Sequence, residues 1–273
     1  MTIITNTAVD SRPRPRTPVA AIGTRAVAHQ VWIMTVRGLL TFRRNPQLLF
    51  DAVALPIITP VLIGGIFGNA IAGSTQAYLP VLIPGVLVQI VLTASVTTGV
   101  QLCEDANSGV HERFLTMPIA RLTPIAGLLT AGIVRYVIAA STLLIVGYLM
   151  GYRPLYPLLL VAGACLVVVV TAAMSWIFAA VGLRFSRPSA VQGVSAILLT
   201  LFTLASNALV PDSTMPRWLA AISDVNPVSH LVSAVRLLTE TGRFGADAWW
   251  SLCGACVVVM IFVPVTLRAM RRH

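Results

Sequence analysis

The sequence predicts an all-α integral membrane protein: six transmembrane helices, an amphipathic interface helix before the first span, and short extracellular re-entrant helices between spans five and six. Three observations lead there. The 273 residues are 57% apolar and 10% charged, with a mean hydropathy of +0.86, far from the roughly one-quarter charged residues of a soluble domain. Apolar runs long enough to cross the hydrocarbon, which takes roughly 20 residues as a helix, recur six times. Arginines gather beside those runs and almost never within them.

The first 27 residues, opening "MTIITNTAVDSRPRPRTPVAA", have no apolar core of the kind a cleavable signal needs and read as a disordered cytoplasmic tail. The transmembrane domain follows over 28–273. Residues 28–44 are amphipathic at the helical period: Gln30, Arg37, Thr41 and Arg44 share a polar arc, opposite Ala28, Trp32, Val36, Leu39 and Leu40. A helix in the membrane interface fits that pattern, with Trp32, Arg37, Arg43 and Arg44 as its anchors and Asn45-Pro46 turning the chain into span one. The spans are expected at about 50–72, 79–102, 126–150, 157–182, 190–211 and 249–268. The first two form a tight hairpin around "GSTQAY". Pro56, Pro60, Pro80, Pro84 and Pro264 put kinks in spans one, two and six, and Gly64, Gly68 and Ala72 make a small-residue stripe.

An even number of spans leaves both termini on one side, and arginine counting identifies it. The N-terminal segment carries seven, the 103–124 loop two, the 183–189 loop two and the C-terminus three, fourteen in all; the opposite side has four: Arg153, Arg217, Arg236 and Arg243. The positive-inside rule puts both termini in the cytoplasm of a multi-pass protein of the cell membrane.

The segment "VPDSTMPRWLAAISDVNPVSHLVSAVRLLTETG" holds two helix starts, Asp212 or Ser213 ahead of Pro216 and Asp224 to Asn226 ahead of Pro227. Leu231, Val235 and Leu238 stripe the second piece, which is too short and polar to span. Two short helices entering and leaving the outer leaflet fit best. The residues that mark this re-entrant region are Pro211, Met215, Pro216, Trp218, Asn226, Pro227 and Arg236.

Several chemistries drop out. All nineteen basic residues are arginine, so neither a P-loop nor a lysine Schiff base can form. The basic residues flank apolar spans, which points to anionic lipid headgroups rather than nucleic acid. Cys253 and Cys256 have C-x-x-C spacing but sit in "WWSLCGACVVVMIFV" without nearby histidine, and read as small buried apolar residues rather than a metal site. His29, His111, His230 and His273 lie outside the spans or at their margins, and Ser229 and His230 are sequence neighbours that would not face each other on a helix. The chain is therefore not read as an enzyme. Arg135 is an ionisable residue within a span; the simplest expectation is a side chain snorkelling to the cytoplasmic interface, the alternative a pair with an acidic group or an anionic substrate.

The dense polar stretch "EDANSGVHERFLTMPIARL" follows Ala52–Cys103, which carries no charge. Asn107 or Ser108 can cap a short helix and Pro118 limits its end, while Val110, Phe114 and Met117 share one face. This stretch resembles the E/D…G…ERF-x-x-MP…R segment after the second span of type 2 ABC transporter permeases. "NALVPDSTMPRWLAAISDVNPVSHLVSAVRLL" is similar to the same family's late signature, P-x-x-x-MP-x-W before an NP-[VL]-S…R helix. Within the family, the daunorubicin/doxorubicin-resistance permease group fits best, from about residue 28 onward.

The resemblance implies one permease half, joined to a second permease copy, identical or related, and to two copies of a cytoplasmic ATP-binding subunit. ATP and magnesium would sit on that subunit, with no cofactor or metal in this chain. It also implies that residues 107–118 form the coupling helix, with Glu104, Ser108, Gly109, Glu112, Arg113, Phe114, Met117, Pro118 and Arg121 in its contacts. At 105–108, "DANS", the chain departs from the pattern: an acidic residue follows Glu104 and the stretch is less basic. The function implied is export of hydrophobic or amphiphilic compounds, whether drug, antibiotic or lipid. A non-transporting membrane scaffold for another complex is the alternative.

Overall fold

Four helices begin on a proline, whose fixed φ and missing N–H suit the first helical turn: α2 (Pro46–Ala72), α5 (Pro157–Arg184), α6 (Pro188–Leu204) and α7 (Pro227–Thr241). The others are α1 (Thr24–Arg44), α3 (Thr75–Asn107), α4 (Thr123–Leu149) and α8 (Ala246–Met270). They come from a computed structural model that describes residues 24–107, 123–204 and 222–270, together with Ser206 and Arg217. Among the described residues all regular structure is helical.

Five helices, α2, α3, α4, α5 and α8, are long and apolar enough to cross a membrane. The expected fifth span, 190–211, is represented by α6, which is described as far as Leu204 and is shorter than the other five. α1, over the segment expected to lie in the interface, starts at Thr24, four residues before the expected 28. Prolines 56, 60, 80, 84 and 264 lie inside helices that run through them.

α3 is the centre of the bundle, packing against α2, α4, α5, α6 and α7. Leu79, Leu82, Ile83, Val86 and Leu87 are fully buried there beside Tyr136, Leu143, Val167 and Leu231. At the opposite end of α3 a smaller cluster joins Leu102 to Ile125, Leu129, Ala179 and Leu183, with Ala269 packed on it. The last turns of α3, α5 and α8 and the first turn of α4 therefore share one end of the bundle. Near it, α3 and α5 cross backbone to backbone: a Cβ on Gly99 would strike the Phe178 carbonyl, and one on Gly182 the Gly99 carbonyl.

The α2–α3 hairpin turns at Gly73, whose φ of 73° lies in the left-handed region. Thr75 donates to the Gly64 carbonyl at 3.3 Å, and its backbone lies where a Cβ of Gly68 would be, so within this chain the glycine stripe seats the hairpin. α2 and α8 form the periphery, with Phe50, Ile66, Trp249 and Met260 exposed. Cys253 and Cys256, expected to be buried, are exposed on α8 and unbridged, because this span is peripheral rather than central.

Candidate functional site

α1 runs parallel to the start of α4 in one constant register. The Thr123 hydroxyl bonds the Gln30 side-chain oxygen at 3.4 Å, a Cβ on Gly127 would collide with Met34, and one on Gly38 would come 2.7 Å from Ala131. Gln30, Met34 and Gly38 thus meet Thr123, Gly127 and Ala131 over successive turns, with small residues permitting the close approach. The polar edge of α1 faces the bundle, where Arg37 Nη2 donates to Asp105 Oδ1 of α3 at 3.2 Å. Its apolar face is uncovered: Trp32 is 64% exposed, and Ile33, Val36 and Leu40 are exposed with it. That face suits lipid. Arg43 and Arg44 are exposed in the last turn, where cations complement the helix dipole.

These contacts bracket residues 108–122. Asp105 lies three residues before that segment and Thr123 immediately after it, and both are held by α1. Glu104 is exposed at the rim of a notch that Met34, Arg37 and Gln101 also line. Asn107 Nδ2 donates to the Ser186 carbonyl at 2.6 Å, and the Cys103 thiol lies 3.1 Å from the Phe185 carbonyl, so the same flank is bonded to the α5–α6 turn. Ser108, Gly109, Glu112, Arg113, Phe114, Met117, Pro118 and Arg121, the rest of the expected coupling set, lie outside the described residues. The departure at Asp105 finds its reason here. The carboxylate that breaks the family pattern is the partner of Arg37, a pairing across 68 residues that no local spacing signals.

At the other end of the bundle, α7 lies where the second short helix is expected. Asn226 caps it, its side-chain oxygen accepting from Val228 N at 3.0 Å while its Nδ2 donates to the Phe202 carbonyl of α6 at 2.8 Å. Pro227 follows at the first position, and Gly242 closes the helix with a φ of 72°. Leu231, Val235 and Leu238 are fully buried. Arg236 Nη2 donates to the Val81 carbonyl of α3 at 3.1 Å. Burial pushes the Tyr152 phenol up, the Thr239 hydroxyl opposing the shift. Pro211, Met215, Pro216 and Trp218, from the first re-entrant piece, lie outside the described residues.

Sequence reasoning missed His230 as a structural tie. Its Nδ1 lies 2.8 Å from Asp247 Oδ1 and its Nε2 2.9 Å from the Asp224 carbonyl, with Trp250 stacked at 6.2 Å. Ser229 turns elsewhere, to Ser223 at 2.8 Å, so the two neighbours do not face each other. A hydrophilic His-Asp pair beside two tryptophans was the available signal.

Arg135 does not snorkel. It is 5% exposed, and Nη2 crosses to the Thr98 hydroxyl on α3 at 3.1 Å.

Comparison with known proteins agrees with the motifs. The model of the ABC-2 type transporter family matches residues 29–238. The daunorubicin resistance ABC transporter permease protein DrrB1 of Streptomyces coeruleorubidus is 38% identical over 255 residues, 93% of this chain and 89% of its own. The doxorubicin resistance ABC transporter permease protein DrrB of Mycobacterium tuberculosis is 26% identical over 259 residues, 90% of this chain and 88% of its own. A match over most of the described bundle, containing both the α1 brace and α7, makes this chain a member of the ABC-2 type transporter family.

Proposed function

We propose that the protein is the permease subunit of an ATP-driven exporter that moves hydrophobic or amphiphilic compounds outward across the cytoplasmic membrane, with both termini in the cytoplasm. The drug-resistance names of its relatives support the class of cargo. Two copies of an ATP-binding subunit supply the energy and a second permease, identical or related, completes the pathway. The coupling segment is the stretch expected over residues 107–118.

The observation that carries this reading is the double hold of α1. Arg37 grips α3 just before the coupling segment and Gln30 grips α4 just after it. A displacement imposed on the segment by an ATP-binding subunit is thereby delivered to two spans together. ATP binding can shift the permease toward one arrangement only if the coupling contacts are better satisfied in it. The brace makes α1, the end of α3 and the start of α4 the unit that carries that preference.

The test is co-expression with an ATP-binding subunit encoded beside the permease, followed by purification and reconstitution. The expected result is a stable complex whose cargo-stimulated ATP hydrolysis is lost in the Glu112→Ala/Arg113→Ala double variant. A permease that purifies without any ATP-binding subunit would instead favour a scaffold.

A further inference from the structure

The brace leaves Arg135 without a role. Its guanidinium is charged at any physiological pH, yet it is buried with neutral groups around it. The Thr98 hydroxyl that accepts from Nη2 lies 3.1 Å from the hydroxyl of Tyr136, which is itself fully buried. Nε is shielded from solvent and has no acceptor. Among the described residues, Arg37 is paired with Asp105 and His230 bonds Asp247, and no carboxylate reaches Arg135.

Depth makes the charge costly. Thr98 precedes Asp105 by seven residues on α3, which sets Arg135 about 10 Å further into the bundle than the Arg37–Asp105 pair. Ionisable groups inside a membrane bundle are rare and are matched by a partner or by what passes along the pathway. Tying α4 to α3 needs only a neutral donor, since a glutamine could bond Thr98 as well. The hydrogen bond therefore does not account for the charge, and the Tyr136 ring, 6.0 Å from the guanidinium carbon, meets it only at the outer limit of a cation–π contact. Gly132, one turn earlier, packs against the same group: a Cβ there would come 3.1 Å from the Tyr136 hydroxyl and 3.4 Å from that of Thr98, so any side chain at 132 would crowd both hydroxyls.

We propose that Arg135, with Thr98 and Tyr136, is an anion-recognition site, and that the cargo is an amphiphile bearing an oxyanionic group, carboxylate or phosphate. Nε and the neighbouring Nη offer the parallel donors that a two-oxygen anion accepts, and whichever of the two hydroxyls does not donate in their mutual hydrogen bond adds one more. This inference rests on the export reading above.

The test uses the purified full chain in nanodiscs of zwitterionic phosphatidylcholine, with a fluorescent fatty acid and its methyl ester as probes that differ only in charge. The acid is expected to bind at least about tenfold more tightly than the ester, the scale of one charge-assisted bidentate contact. R135Q should weaken the acid by about tenfold, to the affinity of the ester, and R135K should restore part of the difference. Equal affinities in the unsubstituted protein, which needs no variant to fold, would overturn the proposal. So would equal loss of both probes in R135Q, the signature of a purely structural cross-link. Arg135-dependent binding of inorganic phosphate without acid–ester discrimination would also overturn it, as a free-anion site. Binding is read without ATP or its subunit, so these failures leave the export reading intact, and failure to associate with an ATP-binding subunit leaves the anion site intact.

Discussion

α7 and α1 are both short helices packed on a core of spans, yet they are fastened by different physics. α7 buries Leu231, Val235 and Leu238 completely, carries an asparagine cap and a left-handed glycine stop, and reaches α6 through Asn226. α1 buries Phe42 but leaves Trp32, Ile33, Val36 and Leu40 exposed, and it meets α3 through an ion pair whose side chains are 42% and 43% exposed. Burial of this kind holds an element in one place, whereas a half-exposed pair contributes below about 1 kcal/mol and exchanges easily. α7 is built as fixed structure. The α1–α3 contact, unlike the close packing of α1 on α4, can be remade at little energetic cost.

Substitutions can break or sharpen that contrast. The largest effect is expected at the crossing between the two ends: Gly99→Leu would drive a side chain into the Phe178 carbonyl and leave no monodisperse protein on size exclusion. Next, Leu231→Ala should destabilise by about 2–5 kcal/mol through the cavity it opens, seen as a lowered unfolding temperature in detergent. A Leu231→Ala protein as stable as the parent would show that α7 is not fixed by burial. Asn226→Ala should cost about 1 kcal/mol for the lost cap, and more than that if the bond to Phe202 matters independently. Arg37→Ala should scarcely move the unfolding temperature, yet should reduce cargo-stimulated ATP hydrolysis in the reconstituted complex. The exchange Arg37→Asp with Asp105→Arg should restore part of that activity; no recovery would remove the ion pair from the coupling route. Raising the ionic strength should mimic the single variant weakly, because exposed charges are screened.

Much of this architecture was legible locally. The turn at Asn45-Pro46, the helix start ahead of Pro227 and the stripe at 231, 235 and 238 are all short-range signals, and each corresponds to an observed feature. What escaped was long-range. Nothing in the sequence near Arg37 announces Asp105, and the pair His230–Asp247 joins two helices through a loop. The orientation of Arg135 and the exposure of Cys253 and Cys256 depend on which helices became central, a property of assembly rather than of any one span. The polar arc on α1 was readable, but not that it would face the bundle while the apolar arc faced outward.

The α3–α5 crossing carries one further consequence, for how these two positions can vary. In most packed pairs a larger residue on one helix can be rescued by a smaller one opposite. Here the obstacle to a side chain at Gly99 is the carbonyl of Phe178, and the obstacle at Gly182 is the carbonyl of Gly99. A carbonyl oxygen is common to all twenty residues, so no change of identity across the crossing removes it. Gly99 and Gly182 therefore have no compensating partners: a revertant of either should carry glycine again or shift an entire helix.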